Sequence, residues 1–319
     1  MSSQHRFRIL ELFCGIGGCA AALPDGVSVT AAIDIDREAL AVYRANWPHR
    51  TVNAELATLN LAAFEADLWW LSPPCLPHTV RGAHRDLQDR RTESLLAVIG
   101  MARNIQPAAI VVENVPPFLC SATWAWCWQQ LAEVGYRISW SCASPDQIGW
   151  PMRRHRAYCV AVKDRAIPTW RICRDASAPA LKDVLEPVPL DEWCLQDDPK
   201  TRDALAALSR VDPDNPVAAA ACFGASYGKS ILRAGSYLQS GDRLRRFTPR
   251  EVARLLGFDD TFDLSRAPTQ RAAYRMLGNS LSVPVVRQLL QHVLAWLSVG
   301  QDPSGPGRNC DHPTDRCWR

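Results

Sequence analysis

Glu11-Leu12-Phe13-Cys14-Gly15-Ile16-Gly17-Gly18 is the stretch on which the fold turns. The apolar run from Arg8 to Phe13 reads as a β-strand, and it breaks directly into a glycine-rich turn. A strand that leaves through glycines lets a ligand approach the backbone closely, or lets the next helix pack tightly on the strand. Taken alone, the turn fits either use.

Outward from that turn, Val27 to Ile33 reads as a second strand ending at Asp34, where a carboxylate can hydrogen-bond a ribose hydroxyl. Asp36 is positioned to cap a helix that runs through Trp47 and stops at Pro48. Glycine turn and acidic strand end together describe a nucleoside-bearing cofactor at the carboxyl edge of a sheet. Further strands are expected at Leu68 to Leu71, Ala109 to Val112, Ile138 to Cys142 and Ala157 to Val162, the last two as a hairpin pair. Apolar β-like runs alternating with helical stretches predict an α/β fold, a parallel sheet covered on both faces.

From Lys163 the texture changes, with prolines at 168, 179, 187, 189, 199, 213 and 216 and weaker periodicity. Residues 164–266 are therefore expected to form a smaller, loop-rich domain. Residues 1–163 with 267–299 are expected to form the larger, cofactor-binding domain, closing with a proline-started helix from Val283 to Leu297. Residues 300–319, rich in Pro, Gly and polar residues, are expected to be a disordered tail.

Composition narrows the class. The 47% hydrophobic and 22% charged fractions are those of an ordinary globular chain. No apolar run is long enough for a membrane span, and no signal peptide is read at the N-terminus. The net charge of +3 says little, but Arg153, Arg154, His155 and Arg156 cluster, as do Arg243, Arg245, Arg246 and Arg250. Such clusters either track a phosphate backbone or are solvated surface. The 12 cysteines include no Cys-x-x-Cys pair, and Cys127, Cys142 and Cys159 read as small buried hydrophobes. Reduced thiols and a cytoplasmic setting are expected, with no metal site and no evident protein partner.

Three further motifs carry chemistry. Ser72-Pro73-Pro74-Cys75 follows a strand, so two prolines fix the backbone and present a thiol at the sheet edge, as a nucleophile or as an inert cysteine. Glu113-Asn114-Val115 ends another strand, where the carboxyl can activate a ring nitrogen or cap the next helix. Gly149-Trp150-Pro151-Met152-Arg153-Arg154-His155-Arg156 brings arginines into a strand near the same edge, suited to phosphate or a base.

In this order the segments resemble the cytosine-5 methyltransferase family. The likeness continues in Arg246-Phe247-Thr248-Pro249-Arg250-Glu251-Val252-Ala253-Arg254-Leu255-Leu256-Gly257-Phe258 and in Arg275-Met276-Leu277-Gly278-Asn279-Ser280. The resemblance implies that residues 1–163 with 267–299 form a Rossmann-like catalytic domain that uses S-adenosylmethionine, and that residues 164–266 form a small target-recognition domain. It implies cofactor contacts from Phe13, Gly15, Ile16, Gly17, Gly18, Asp34, Ser72 and Asn279, with Ala57 and Thr58 lining the adenine. It further implies that Cys75 adds to carbon 6 of cytosine, that Glu113 engages N3, and that Arg154 and Arg156 hold an extruded base. Covalent addition turns carbon 5 into an enamine-like nucleophile, which the intact ring is not.

Several stretches are similar to the branch of that family that methylates the anticodon loop of transfer RNA: Ala31-Ala32-Ile33-Asp34, Val42 to His49, Asp89 to Ser94, Ala221 to Gly228 and Gly235 to Gln239. Transfer RNA is thus the expected partner, with DNA the alternative and an inactive nucleic-acid-binding relative the alternative of another class. Leu76 departs from most of the wider family, His78 and Gly224 depart from the branch, and Met152 stands at a usually polar amide position; these bear on target recognition rather than on Cys75 and Glu113. Tyr227 and Trp170 are candidates for stacking on bases, or for core packing. A small-molecule oxidoreductase accounts for the glycine turn but not for Ser72 to Cys75 or Gly278-Asn279-Ser280.

Overall fold

A computed structural model describes residues 7–75, 89–195, 208–232, 234–241 and 243–298. Leu76, His78 and the tail 300–319 lie outside the described residues. Seven strands form one sheet: β1 (Arg8–Leu12), β2 (Ser28–Asp34), β3 (Thr51–Asn53), β4 (Leu68–Leu71), β5 (Ala109–Asn114), β6 (Tyr136–Ala143) and β7 (Arg156–Lys163), in the order β3-β2-β1-β4-β5-β7-β6. Chain order reverses between β1 and β4, and in such sheets ligands bind outside the carboxyl ends of the strands at that point.

The sheet is mixed, where a parallel one was expected. β7 runs antiparallel to both β5 and β6. The link from Ala143 to Arg156 holds a 3-10 turn (Pro145–Ile148) and a left-handed Gly149 but no crossover helix, so the chain can only return alongside its own strand. This is the hairpin pair anticipated for the last two strands.

Alternate residues of each strand feed two cores, because successive side chains point to opposite faces. Ile9, Trp70, Val111 and Val160 face α1 (Gly18–Ala21), α2 (Arg37–Asn46) and, later in the chain, the helix Val283–Ser298. Leu10, Leu12, Trp69, Leu71, Ile110 and Val112 face α3 (Arg90–Ile105) and α4 (Ala122–Glu133). Asp36 caps α2 as read from sequence, its Oδ1 accepting the Glu38 and Ala39 amides at 3.0 and 3.1 Å.

Beyond β7, α5 (Leu190–Trp193) precedes a second sheet of β8 (Ser209–Val211), β9 (Ser236–Ser240) and β10 (Arg243–Arg245), ordered β10-β9-β8. Then come α6 (Pro249–Leu256), α7 (Gln270–Asn279) and α8 (Val283–Ser298). Tyr227 and Trp170, candidates for base stacking, are buried in the core instead. The Tyr227 hydroxyl donates to Ser236 O and accepts the Phe247 amide, and Trp170 packs edge-on against Tyr158.

The second basic cluster is mostly spent within the fold. Arg245 donates twice to Glu251, at 2.8 and 2.7 Å, in a fully buried pair. Arg243 pairs with Asp191, and Arg250 donates to Phe262 O. Glu251 also closes the N-terminus of α6 through a capping box with Thr248, so this residue of the stretch Arg246 to Phe258 is structural. Cys127 and Cys159 are buried as expected, whereas Cys142 is exposed because it lies on the outer strand β6.

Candidate active site

The thiol of Cys75 is held at the carboxyl edge by the three residues before it. The Ser72 amide donates to Leu12 O at 3.3 Å, which carries the β1–β4 ladder one step past β4. Trp70 Nε1 donates to Ser72 Oγ at 2.8 Å. Pro73 O accepts a bond of 3.4 Å from Asn114 Nδ2 on β5, and the rings of Pro73 and Pro74 remove freedom in φ. Cys75 is half-buried at the end of this clamp.

Glu113 stands one strand away, 7% exposed at the carboxyl end of β5. Antiparallel pairing sets Glu113 opposite Tyr158 and Asn114 opposite Ala157, so the start of β7 lies at the end of β5. That is why arginines preceding a strand reach the same edge as residues following one. Arg156 Nε comes within 3.2 Å of Glu113 Oε1. The contact is an ion pair without hydrogen-bond alignment, since Glu113 Oε1 and Arg154 Nε are both buried without a hydrogen-bond partner. A buried polar atom left unpaired costs about 1–3 kcal/mol, which a polar ligand seated here would recover.

Arg154 is anchored rather than free. Its amide donates to Ser144 Oγ at 2.9 Å, and its Nη2 donates to the carbonyls of Gly278 and Ser280. Burial pushes the Cys75 thiol above its ordinary value; Arg156 pulls it back, Glu113 raises it further and Arg154 opposes. Burial likewise raises the Glu113 carboxyl against the pull of Arg156 and Arg154. A carboxyl held toward its protonated form can donate a proton to a ring nitrogen, and a thiol that feels two guanidiniums gains stabilisation once ionised.

On the other side of β1 lies the glycine turn. Phe13 and Gly15 both adopt positive φ, 57° and 53°, and the space where a Cβ of Gly15 would stand is open. The Gly15 amide donates to Asp34 Oδ2 at 2.8 Å, and the Asp36 amide to Oδ1 at 2.8 Å. Gly17 is obligatory for a different reason: at φ 85° its Cβ would lie 2.4 Å from the Trp47 ring. Ile16 is buried beneath the turn and Gly18 packs against Leu281 and Ser280. Open backbone next to a largely buried carboxylate fits a nucleoside with free hydroxyls, which is the portion of S-adenosylmethionine that such an edge would hold.

Two of the expected cofactor residues stand apart from that cradle's contacts. Ala57 and Thr58 are exposed on the 3-10 turn Leu56–Thr58, and the Thr58 hydroxyl is spent on Glu55 O at 2.8 Å. Asn53, paired with Asp34 across β2 and β3, is nearer, its Nδ2 donating to Asp34 O and Ile35 O. Asn279 is exposed at the last position of α7. Ile35 was not singled out in the sequence: it is 65% exposed immediately after Asp34, an apolar surface where a flat ring could rest. The signal was present, a large aliphatic residue one step past an acidic strand end. Among the described residues no group of His, Cys, Asp and Glu could hold a metal ion, and no helix is long and apolar enough to cross a membrane.

Residues 7–223 and 208–295 match the family of C-5 cytosine-specific DNA methylases. The chain is 31% identical to a tRNA (cytosine(38)-C(5))-methyltransferase of Schizosaccharomyces pombe, over 93% of this chain and 100% of that protein. It is 27% identical to the type II methyltransferase M.NlaX of Neisseria lactamica, over 93% and 99% of the two chains. The crystal structure of S. pombe Dnmt2 methyltransferase superposes with a TM-score of 0.81 at 29% identity, covering 92% of this chain and 100% of that one.

Proposed function

The chain belongs to the C-5 cytosine-specific DNA methylase family, and from that premise we propose that it methylates carbon 5 of a cytosine in transfer RNA, with Cys75 as nucleophile. The observation that carries the reading is the convergence of the half-buried Cys75 thiol, the Glu113 carboxyl and the Arg154 and Arg156 guanidiniums at one sheet edge, beside the open backbone of Gly15.

In this reading Phe13 to Gly18, Asp34, Ile35, Ser72 and Asn279 would hold the cofactor S-adenosylmethionine, with the Asp34 carboxylate available to ribose hydroxyls and Ile35 offering an apolar surface. Ala57 and Thr58 are the outermost candidates for the adenine. When bound it supplies a methyl group on a positively charged sulfur. Cys75 Sγ, as thiolate, forms a bond to carbon 6 of the base while Glu113 donates to N3 and Arg156 steadies that carboxyl. The carbon 5–carbon 6 double bond is consumed, so carbon 5 would take the methyl group as that group's bond to sulfur breaks. Loss of the carbon 5 proton then expels the Cys75 thiolate and restores the double bond, and N3 returns its proton to Glu113. Arg154 Nε and Glu113 Oε1, both buried without a hydrogen-bond partner, are the two atoms suited to receive the base.

Transfer RNA is favoured over DNA because the S. pombe relative, matched over its whole length, is named for that substrate. A loop base is already partly unstacked, so extruding it costs less than the few kcal/mol demanded by a paired base. A cytoplasmic, reducing setting belongs to the same reading, since the nucleophile must remain a free thiol. The test is to incubate purified protein and labelled methyl donor with matched transfer RNA or duplex DNA, using C75A as control. Label is expected in the RNA alone; label in DNA alone would eliminate the RNA preference.

A further inference from the structure

Cys222 has no part in the scheme above, yet its sulfur lies among the groups that scheme uses. It comes from the segment between β8 and β9 rather than from the large sheet. Arg154 Nη1 donates to Cys222 Sγ at 3.3 Å and Arg156 Nη2 at 3.9 Å. The segment is pinned on both sides: Ala221 N donates to Ser236 Oγ and Gly224 N to Ala234 O, each at 2.8 Å, and the Phe223 ring packs between Tyr227 and Phe247. The sulfur is therefore a fixed point, not a passing contact.

Its surroundings differ from those of the other inner cysteines. Cys19 and Cys159 sit in apolar cores, where burial drives their thiols far up. Burial also pushes the Cys222 thiol up, but Arg154 and then Arg156 outweigh it and hold it below the ordinary thiol value. Arg156 in turn has three engagements: Nε with Glu113, Nη1 with His155 O at 2.7 Å, and Nη2 with Cys222. Without the sulfur, Nη2 loses this contact and only Nε and Nη1 hold the guanidinium toward Glu113.

We propose that Cys222 is a positioning residue for the methyl transfer: its sulfur fixes the Arg154 and Arg156 guanidiniums and so aims Arg156 at Glu113. The inference rests on the reading of Cys75 and Glu113 as the catalytic pair. It also makes the segment between β8 and β9 part of the active site, so the catalytic carboxyl is aligned only when that segment is seated.

The test compares C222V, close in volume but without an acceptor, with C222S, which restores an acceptor at the same place; C222A replaces C222V if branching disturbs the fold. Full-length protein is assayed on a transfer RNA transcript, with S-adenosylhomocysteine binding measured by calorimetry. Expected for C222V is a loss of kcat of about tenfold to a hundredfold, the scale of a misplaced catalytic group. KM for RNA and cofactor affinity should stay within about threefold, and C222S should recover most of kcat. Wild-type kcat in C222V, or equal loss in C222V and C222S, overturns the proposal. C75A run in parallel separates the two levels. Turnover by C75A removes the catalytic reading and this inference with it, whereas an inert C75A beside an unimpaired C222V removes the inference alone.

Discussion

The hydroxyl of Tyr43 donates a hydrogen bond of 2.9 Å to Glu11 Oε2, tying α2 to the last strand residues before the glycine turn. Glu11 is fully buried on β1 and also accepts the backbone amides of Cys19 and Ala20 at the start of α1. Tyr43 reaches on to His49 Nδ1 at 2.9 Å, so a short polar chain runs from the core to a half-buried imidazole. The carboxyl thus secures the helix that follows Gly17 and the helix whose Trp47 covers it.

Burial raises the Glu11 carboxyl from its ordinary 4.5 to about 8, against the opposing pull of Tyr43 and the two amides. The folded protein therefore keeps a proton that the unfolded chain has released at neutral pH. Stability from this group is complete below 4.5 and is lost as pH rises through about 8. His49, lowered by burial from 6.5, acts in the opposite sense but only below that value. Between pH 7 and pH 9, unfolding free energy should fall by about 1 kcal/mol per pH unit at most from this carboxyl. Urea unfolding of wild type and Glu11→Gln at several pH values measures it: the variant should have the flatter dependence, and equal slopes would acquit Glu11.

Replacing Cys75 by alanine should leave no methyl transfer. The segment before it is held by the Ser72 amide on Leu12 O and by Asn114 on Pro73 O, bonds that do not involve the sulfur, so the fold and the glycine turn should be unaffected. Calorimetry with S-adenosylhomocysteine should return wild-type affinity. Residual methylation above a few per cent of wild type would exclude Cys75 as the nucleophile.

Glu113→Gln removes the proton donor but keeps the shape. General acid–base groups contribute roughly a hundredfold to ten-thousandfold, and a loss in that range is expected in kcat. The pH profile adds a sharper readout. Glu113 must be protonated and Cys75 ionised, and burial raises both above their ordinary values, so wild type should show a bell. In the glutamine variant the limb owed to the carboxyl disappears, leaving activity that only rises with pH. A bell of unchanged shape would assign that limb elsewhere.

What sequence could reveal depended on the distance over which each signal acts. β4 with Ser72 to Cys75, β5 with Glu113, and the Asp36 cap are local patterns, and each stands where its residues predicted. The antiparallel sense of β7 within the large sheet needed the length and conformation of a linker, and only that sense explains why Arg154 and Arg156 meet Glu113. Arg245 looked like surface charge because its partner Glu251 lies six residues on, in a helix whose capping geometry had to form first. Cys222 is farther still, 66 residues beyond Arg156, and no periodicity joins a sulfur in one sheet's flank to guanidiniums in another.

Gly278 shows how tightly those flanks are joined. A Cβ there would lie 2.4 Å from Ala225 N and 2.5 Å from the Gly224 carbonyl carbon, and backbone cannot swing aside as a side chain can. Gly278→Ala must therefore push the end of α7 away from the segment that carries Cys222. Overpacking of this kind costs about 1–3 kcal/mol, so a lower melting temperature is expected. The displacement also moves the Gly278 and Ser280 carbonyls that hold Arg154. Turnover should consequently fall more than stability alone explains, with kcat reduced about tenfold or more under conditions where the variant is fully folded. Steady-state kinetics well below the melting temperature decide the matter: a folded Gly278→Ala protein with wild-type kcat would mean that Arg154 tolerates a shifted anchor, and that the close approach serves packing alone.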